Sequence, residues 1–209
     1  MSPLARTDEL VGYRQSNWDT PWWASSNLGE GRYHRPFEEA TQYLCLHPLG
    51  VAAELLRHLG RDVIDDLDTV HYRLWAARVP REGLVRIQFQ TAEAHGIAAE
   101  DLVGDAYGPT QSLADRLRGD GVPGAIVPSA ALPGTENVVL FGPRIRSPYL
   151  VDPPDPADQI ATAHAGERCH PPRYAAPFVR WLGDAHAGLT HWLASGETLT
   201  FADPAPPSP

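Results

Sequence analysis

Apolar and polar positions alternate most cleanly over residues 84–90 (L-V-R-I-Q-F-Q), which predicts a half-buried strand. A continuous apolar run at 43–46 predicts a short buried strand leading straight into a helix over Pro48–Leu59. Pro48 suits the first helical position, where its missing N–H costs nothing, and Gly60 is a natural stop. At about 100° per residue, Leu49, Ala52, Ala53, Leu56 and Leu59 share one apolar stripe. Glu54 points away from that stripe, beside Val51, Arg57 and His58, so its carboxylate faces either water or a cleft.

Further strands are expected to begin near 11–14 and to cover 125–129 and 137–141, and the apolar run at 70–79 reads as strand or helix. Residues 110–118 read as a helix with Thr110 as a candidate cap, and 98–106 as a short helix or turn. Residues 177–195 form an amphipathic helix candidate weakened by two glycines. Proline cannot sit in the middle of a ladder, so the 125–129 strand ends at Pro128. Ser129 is then delivered at a strand end, either towards a cleft or as plain turn chemistry. Residues 148–177, rich in Pro, Ala, Asp and His, read as an extended connection.

The length, 209 residues, suffices for one domain with a real core. The formal net charge of -9 argues against non-specific nucleic-acid binding, which needs a basic footprint. It leaves room for a small anionic ligand held by a few local arginines. Two cysteines, Cys45 in an apolar run and Cys169 in a polar loop, make no disulfide framework, which fits a reducing cytosol. No signal-peptide pattern and no run of membrane-span length are visible.

The remaining candidate chemistry is concentrated in a few places. Residues 17–36 carry three Trp, two Gly and Arg32, His34 and Arg35 without a clean period. This composition suits an ordered loop walling a pocket for a planar anionic ligand, or Trp plugs in the core. Gly29-Glu30-Gly31 lacks the third glycine and preceding strand of a dinucleotide fingerprint. The acidic run at 62–68 lacks the glycine and terminal Glu of a calcium loop and reads as a solvated face. His164, Cys169, His170, His186 and His191 match no zinc spacing, so no metal is expected. Ser129 lies in no G-x-S-x-G elbow and is not read as a nucleophile.

Taken together, Tyr13-Arg14, the G-x-G-R of 29–32 followed by Tyr33, Tyr43 followed by Ala53-Glu54, and Val127-Pro128-Ser129 followed by N-V-V-L-F at 137–141 resemble the RES-domain proteins. The resemblance runs from about residue 13 to 141. The family usually reads G-G-R-W-N where this chain has Gly31-Arg32-Tyr33-His34, and the loop to Tyr43 is about one residue longer.

The resemblance implies a single-domain α+β fold, ADP-ribosyltransferase-like, with mixed β-sheets and flanking helices. The chain then divides into a RES-like catalytic domain at 1–149, an extension at 150–202 with one helix packed on it and no counterpart in the family, and a tail at 203–209 that its composition reads as disordered. The resemblance implies a cytoplasmic enzyme that consumes NAD+ as substrate and needs no cofactor. Phosphate or water would be the acceptor. Many members are toxins neutralised by a helix-turn-helix antitoxin, so such a partner is implied, with no direct nucleic acid and no membrane; homo-oligomerisation stays open. A mono-ADP-ribosyltransferase of protein targets, or a silent nucleotide- or partner-binding domain, are the alternatives.

Carried onto this sequence, the site would be Glu54, Arg32 and Ser129, with Tyr43, Tyr33 and Asn137 binding substrate. The nicotinamide of NAD+ leaves from an already cationic state, so one carboxylate suffices and no general acid is required. Glu54 would stabilise the oxocarbenium-like transition state, kept ionised by Arg57. Arg32 would grip the pyrophosphate, Tyr43 stack on nicotinamide, and Ser129 bond the amide or a ribose hydroxyl. The 177–195 helix would pack on the domain, cover the pocket or meet the antitoxin.

Overall fold

The apolar run and the helix behind it form the middle of the fold in a computed structural model, which describes residues 9–16, 21–22, 26–38, 40–70, 72–143, 159–165 and 171–204. Strand β1 is Glu9–Gln15, β2 Thr41–Cys45, β3 Tyr72–Pro80, β4 Val85–Arg86, β5 Gly124–Pro128, β6 Glu136–Phe141 and β7 Gln159–Ala165. The helices are α1 Pro48–Leu59, α2 Gly108–Gly119, α3 Pro171–Ala175 and α4 Ala187–Ser195. The strands make one seven-stranded sheet in the order β4-β5-β6-β2-β1-β3-β7. All pairings are antiparallel except β4 with β5, so the sheet is mixed.

The sheet is not evenly zipped. β1 pairs with β3 from Glu9 opposite Pro80 to Gln15 opposite Leu74, and β2 with β6 from Thr41 opposite Phe141 to Cys45 opposite Asn137. Between β1 and β2, only Tyr13 opposite Cys45 is in register. The sheet is thus two sub-sheets joined at one residue pair.

α1 is capped as its sequence suggests. His47, in extended conformation, accepts the Leu49 N–H at its Nδ1 (3.2 Å), and Pro48 occupies the first turn. Gly60 ends the helix at φ 89°, a value that suits only glycine. The buried face carries Gly50, Val51, Ala52, Ala53, Leu56 and Arg57, whereas Leu59 is 52% exposed. The stripe is therefore rotated towards Val51 relative to the expected one. Gly50 permits this: a Cβ there would sit 3.0 Å from Cys45 Cβ, so α1 lies tight on the end of β2. Leu56 packs in a cluster with Leu132, Val179 and Trp181, and truncating such a side chain to Ala costs about 2–5 kcal/mol.

Three expectations are corrected. The alternating 84–90 segment makes a ladder only at Val85–Arg86, then turns into a 3-10 helix at Phe89–Thr91. Ile87 and Phe89 are buried and Gln90 exposed, so the alternation reports burial rather than pairing. Thr110 does not cap α2: it lies inside the first turn and donates its hydroxyl to Tyr107 O (2.9 Å), with Tyr107 at the cap position. The 177–195 helix shrinks to α4, because Gly183 is left-handed (φ 84°) and His186 caps a fresh start. Of the three loop tryptophans, Trp22 is a core residue, while Trp18 and Trp23 lie outside the described residues. Of the 148–177 segment, expected as an extended connection, Gln159–Ala165 form β7 and Pro171–Ala175 form α3, whereas 148–158, 166–170 and 205–209 lie outside the described residues.

Candidate active site

Where β1 and β2 part, a cleft of about 340 Å³ opens. Tyr13 and Arg14 of β1, Tyr43 of β2, Glu54 of α1 and Asn137 of β6 line it, together with Arg32 and Tyr33 from the glycine loop. Five of the six residues singled out from sequence thus share one cavity, though Arg32 and Asn137 lie more than a hundred positions apart. The sixth, Ser129, is fully buried directly behind the carboxylate.

Glu54 is held by one oxygen. Its Oε1 accepts from Asn137 Nδ2 at 2.8 Å and from Ser129 Oγ at 3.5 Å. Among the described residues, Oε2 has no hydrogen-bond partner. Register explains the convergence. Asn137 opposes Cys45 at the end of β2, and β5 delivers Ser129 just after Pro128, so both reach the first turns of α1. Ser129 Oγ also accepts the Leu132 N–H at 3.1 Å, which fixes its rotamer. Ser129 is thus buried against Glu54 and is not among the residues that line the cleft.

Arg57 also differs from expectation. Its guanidinium turns away from Glu54 to Asp105 Oδ1 (2.6 Å) and Arg180 O (2.8 Å). Arg32 presents its guanidinium over the Tyr107 ring (5.2 Å) and anchors Nη1 on Gly104 O (2.6 Å). Tyr107 carried no signal in the sequence. Arg14 carried one only as half of Tyr13-Arg14; it is largely buried, bonds Gln42 Oε1 at 3.0 Å, and burial pushes its pKa down to about 10, so it remains cationic at neutral pH.

The Gly31-Arg32-Tyr33-His34 corner closes on Tyr43. His34 Nε2 lies 2.8 Å from Gly29 O and must be the donor there, so Nδ1 accepts from the Tyr43 hydroxyl at 2.7 Å. The same hydroxyl oxygen accepts the Tyr33 N–H at 2.9 Å. Burial lowers the His34 pKa, which keeps the imidazole in this neutral tautomer. Gly31 makes room for the ring: a Cβ there would sit 2.1 Å from His34 Cε1. The Tyr43 hydroxyl is consequently spent on the loop, and its ring is what the cleft receives. Tyr33 is 1% exposed and packs in the core, its hydroxyl without a hydrogen-bond partner among the described residues. Burial raises the phenol pKa of both tyrosines, so both are neutral.

Glu54, fixed on one oxygen, thus faces a cleft that Arg14, Arg32, Tyr43 and Tyr107 also line, in an α+β fold built on one mixed sheet. The model of the RES domain matches residues 8–176, and the chain belongs to that family. A chain of the crystal structure of the M. tuberculosis MbcT-MbcA toxin-antitoxin complex shares the fold, with TM-score 0.57 and 17% identity over 81% of this chain and 88% of that one. No curated protein matches the sequence significantly. Among the described residues, no group of three or more His, Cys, Asp or Glu is arranged to hold a metal ion, and no helix is long and apolar enough to cross a membrane.

Proposed function

We propose that this chain degrades NAD+ as a phosphorylase or glycohydrolase, releasing nicotinamide, and that it is the toxin of a toxin–antitoxin pair. The observation that carries the reading is Glu54, held at Oε1 by Asn137 and Ser129, with Oε2 unbonded among the described residues. In this reading the bond from the ribose C1′ to the nicotinamide nitrogen breaks, and its electron pair leaves with a now neutral nicotinamide. Positive charge develops on the ribose, where a fixed carboxylate stabilises it without reorganising. Phosphate or water then bonds C1′ through oxygen and releases a proton to solvent. Arg32, braced on Tyr107 and Gly104, would meet the pyrophosphate, and the Tyr43 ring would flank the nicotinamide.

The toxin reading draws on the likeness to a chain of a toxin–antitoxin complex. A free NAD+ consumer harms its own cell, so the proposed partner is an antitoxin, of helix-turn-helix type, that blocks the cleft.

Nicotinamide release by the purified protein, with and without phosphate, tests the reading beside Glu54→Gln. The expected result is release by the wild type and a loss of about 10²–10³-fold in the variant, the scale of removing one preorganised electrostatic group. Acceleration by phosphate marks a phosphorylase, and indifference to it marks water as acceptor. A folded protein that releases no nicotinamide, alone or with a lysate as acceptor, overturns the reading.

A further inference from the structure

Three consecutive residues of the loop before α2 are each gripped by arginine. Val103 O accepts from Arg180 Nη1 (2.9 Å), Gly104 O from Arg32 Nη1 (2.6 Å), and Asp105 Oδ1 from both Arg57 Nη2 (2.6 Å) and Arg180 Nη1 (2.7 Å). Asp105 Oδ2 takes the Gly183 N–H (2.7 Å). The arginines come from the glycine loop, from α1 one turn past Glu54, and from the segment after residue 176, where the family match ends. Arg57 and Arg180 are both nearly inaccessible and share this one carboxylate. Despite some desolvation, these donors pull the Asp105 pKa down to about 2, so the clamp is charged throughout the neutral range.

We propose that Asp105 is a positioning residue: with Arg180 it fixes residues 103–107 so that Gly104 O and the Tyr107 ring hold Arg32 ready for an anionic group of the substrate. The inference rests on the functional reading above only for the identity of that substrate. Asp105 is not among the residues that line the cleft; it acts there through residues 103–107 and Arg32. An arginine that binds ground state and transition state alike contributes to KM and not to kcat, which separates this role from general support of the fold.

The test compares Asp105→Asn and the milder Arg180→Lys with wild type, in steady-state nicotinamide release and in amide hydrogen exchange. Asp105→Asn is expected to raise KM for NAD+ by about tenfold or more while kcat stays within about threefold, with a smaller rise in Arg180→Lys. Exchange should accelerate at residues 29–34 and 103–107 in both. Unchanged KM in a folded variant overturns the proposal, and Arg180→Lys decides if Asp105→Asn does not fold. If the wild type releases no nicotinamide, the functional reading fails by itself. Exchange then decides the role of Asp105: unchanged rates at 29–34 overturn it, and faster rates there support it.

Discussion

His186 makes the stability of this protein depend on pH in a calculable way. It caps α4 by accepting the Leu189 N–H at Nδ1 (3.0 Å), while Nε2 donates to Ser129 O (2.9 Å). A second proton would turn Nδ1 into a donor facing a donor. Burial dominates and pushes its pKa from 6.5 to about 4; the Ser129 carbonyl opposes this, and Arg180, Arg57 and Arg32 add to it. In the unfolded chain the ring titrates near its ordinary value. Between those values the unfolded state binds more protons, so stability falls as pH drops through 6.5 and levels off below about 4. The whole window is worth about 3 kcal/mol, of which about 2 kcal/mol is lost by pH 5. His186→Asn keeps an N-cap acceptor and removes the titration. Urea unfolding at pH 7.5 and pH 5.0 should show the wild type losing about 2 kcal/mol more than this variant. Equal losses would refute the argument, since the other titrating groups are common to both.

Two further outcomes bear on the cleft. Asn137→Asp replaces the donor 2.8 Å from Glu54 Oε1 with a second carboxylate, so the pair shares a proton and nicotinamide release at pH 7 should fall by about 10-fold or more; unchanged release would mean that Asn137 does not orient Glu54. Tyr33→Phe removes a buried hydroxyl that has no partner, so thermal unfolding should be unchanged or raised, by up to about 1 kcal/mol equivalent; a drop of about 2 kcal/mol or more would reveal a bond to that hydroxyl.

The apolar run and its helix were legible in the sequence because local rules decide them: Pro48 starts α1, Gly60 stops it, and both bounds appear as expected. Glu54 and Asn137 were legible as motif members, although their contact depends on a strand register that no local pattern encodes. The 84–90 segment misled because Ile87, before the 3-10 turn, and Phe89, at its start, both turn inward with the same alternation as a strand. Arg57 misled in a different way. Helical spacing placed it beside Glu54, but its partner Asp105 lies 48 residues on and was indistinguishable from a solvated acid. The Arg180 contribution was hidden for the same reason.

The stretch after residue 176 has a consequence for what counts as one unit of this protein. Trp181 and Val179 complete the cluster under α1, Arg180 shares Asp105 with Arg57, and His186 holds the carbonyl of Ser129. A fragment trimmed at the end of the family match would leave the apolar face of α1 wet and Arg57 with half its clamp. The stretch matched by the family model and the packed body around α1 therefore end at different places. Sequence drift in a segment that family likeness ignores still reaches the carboxylate, two bonds away.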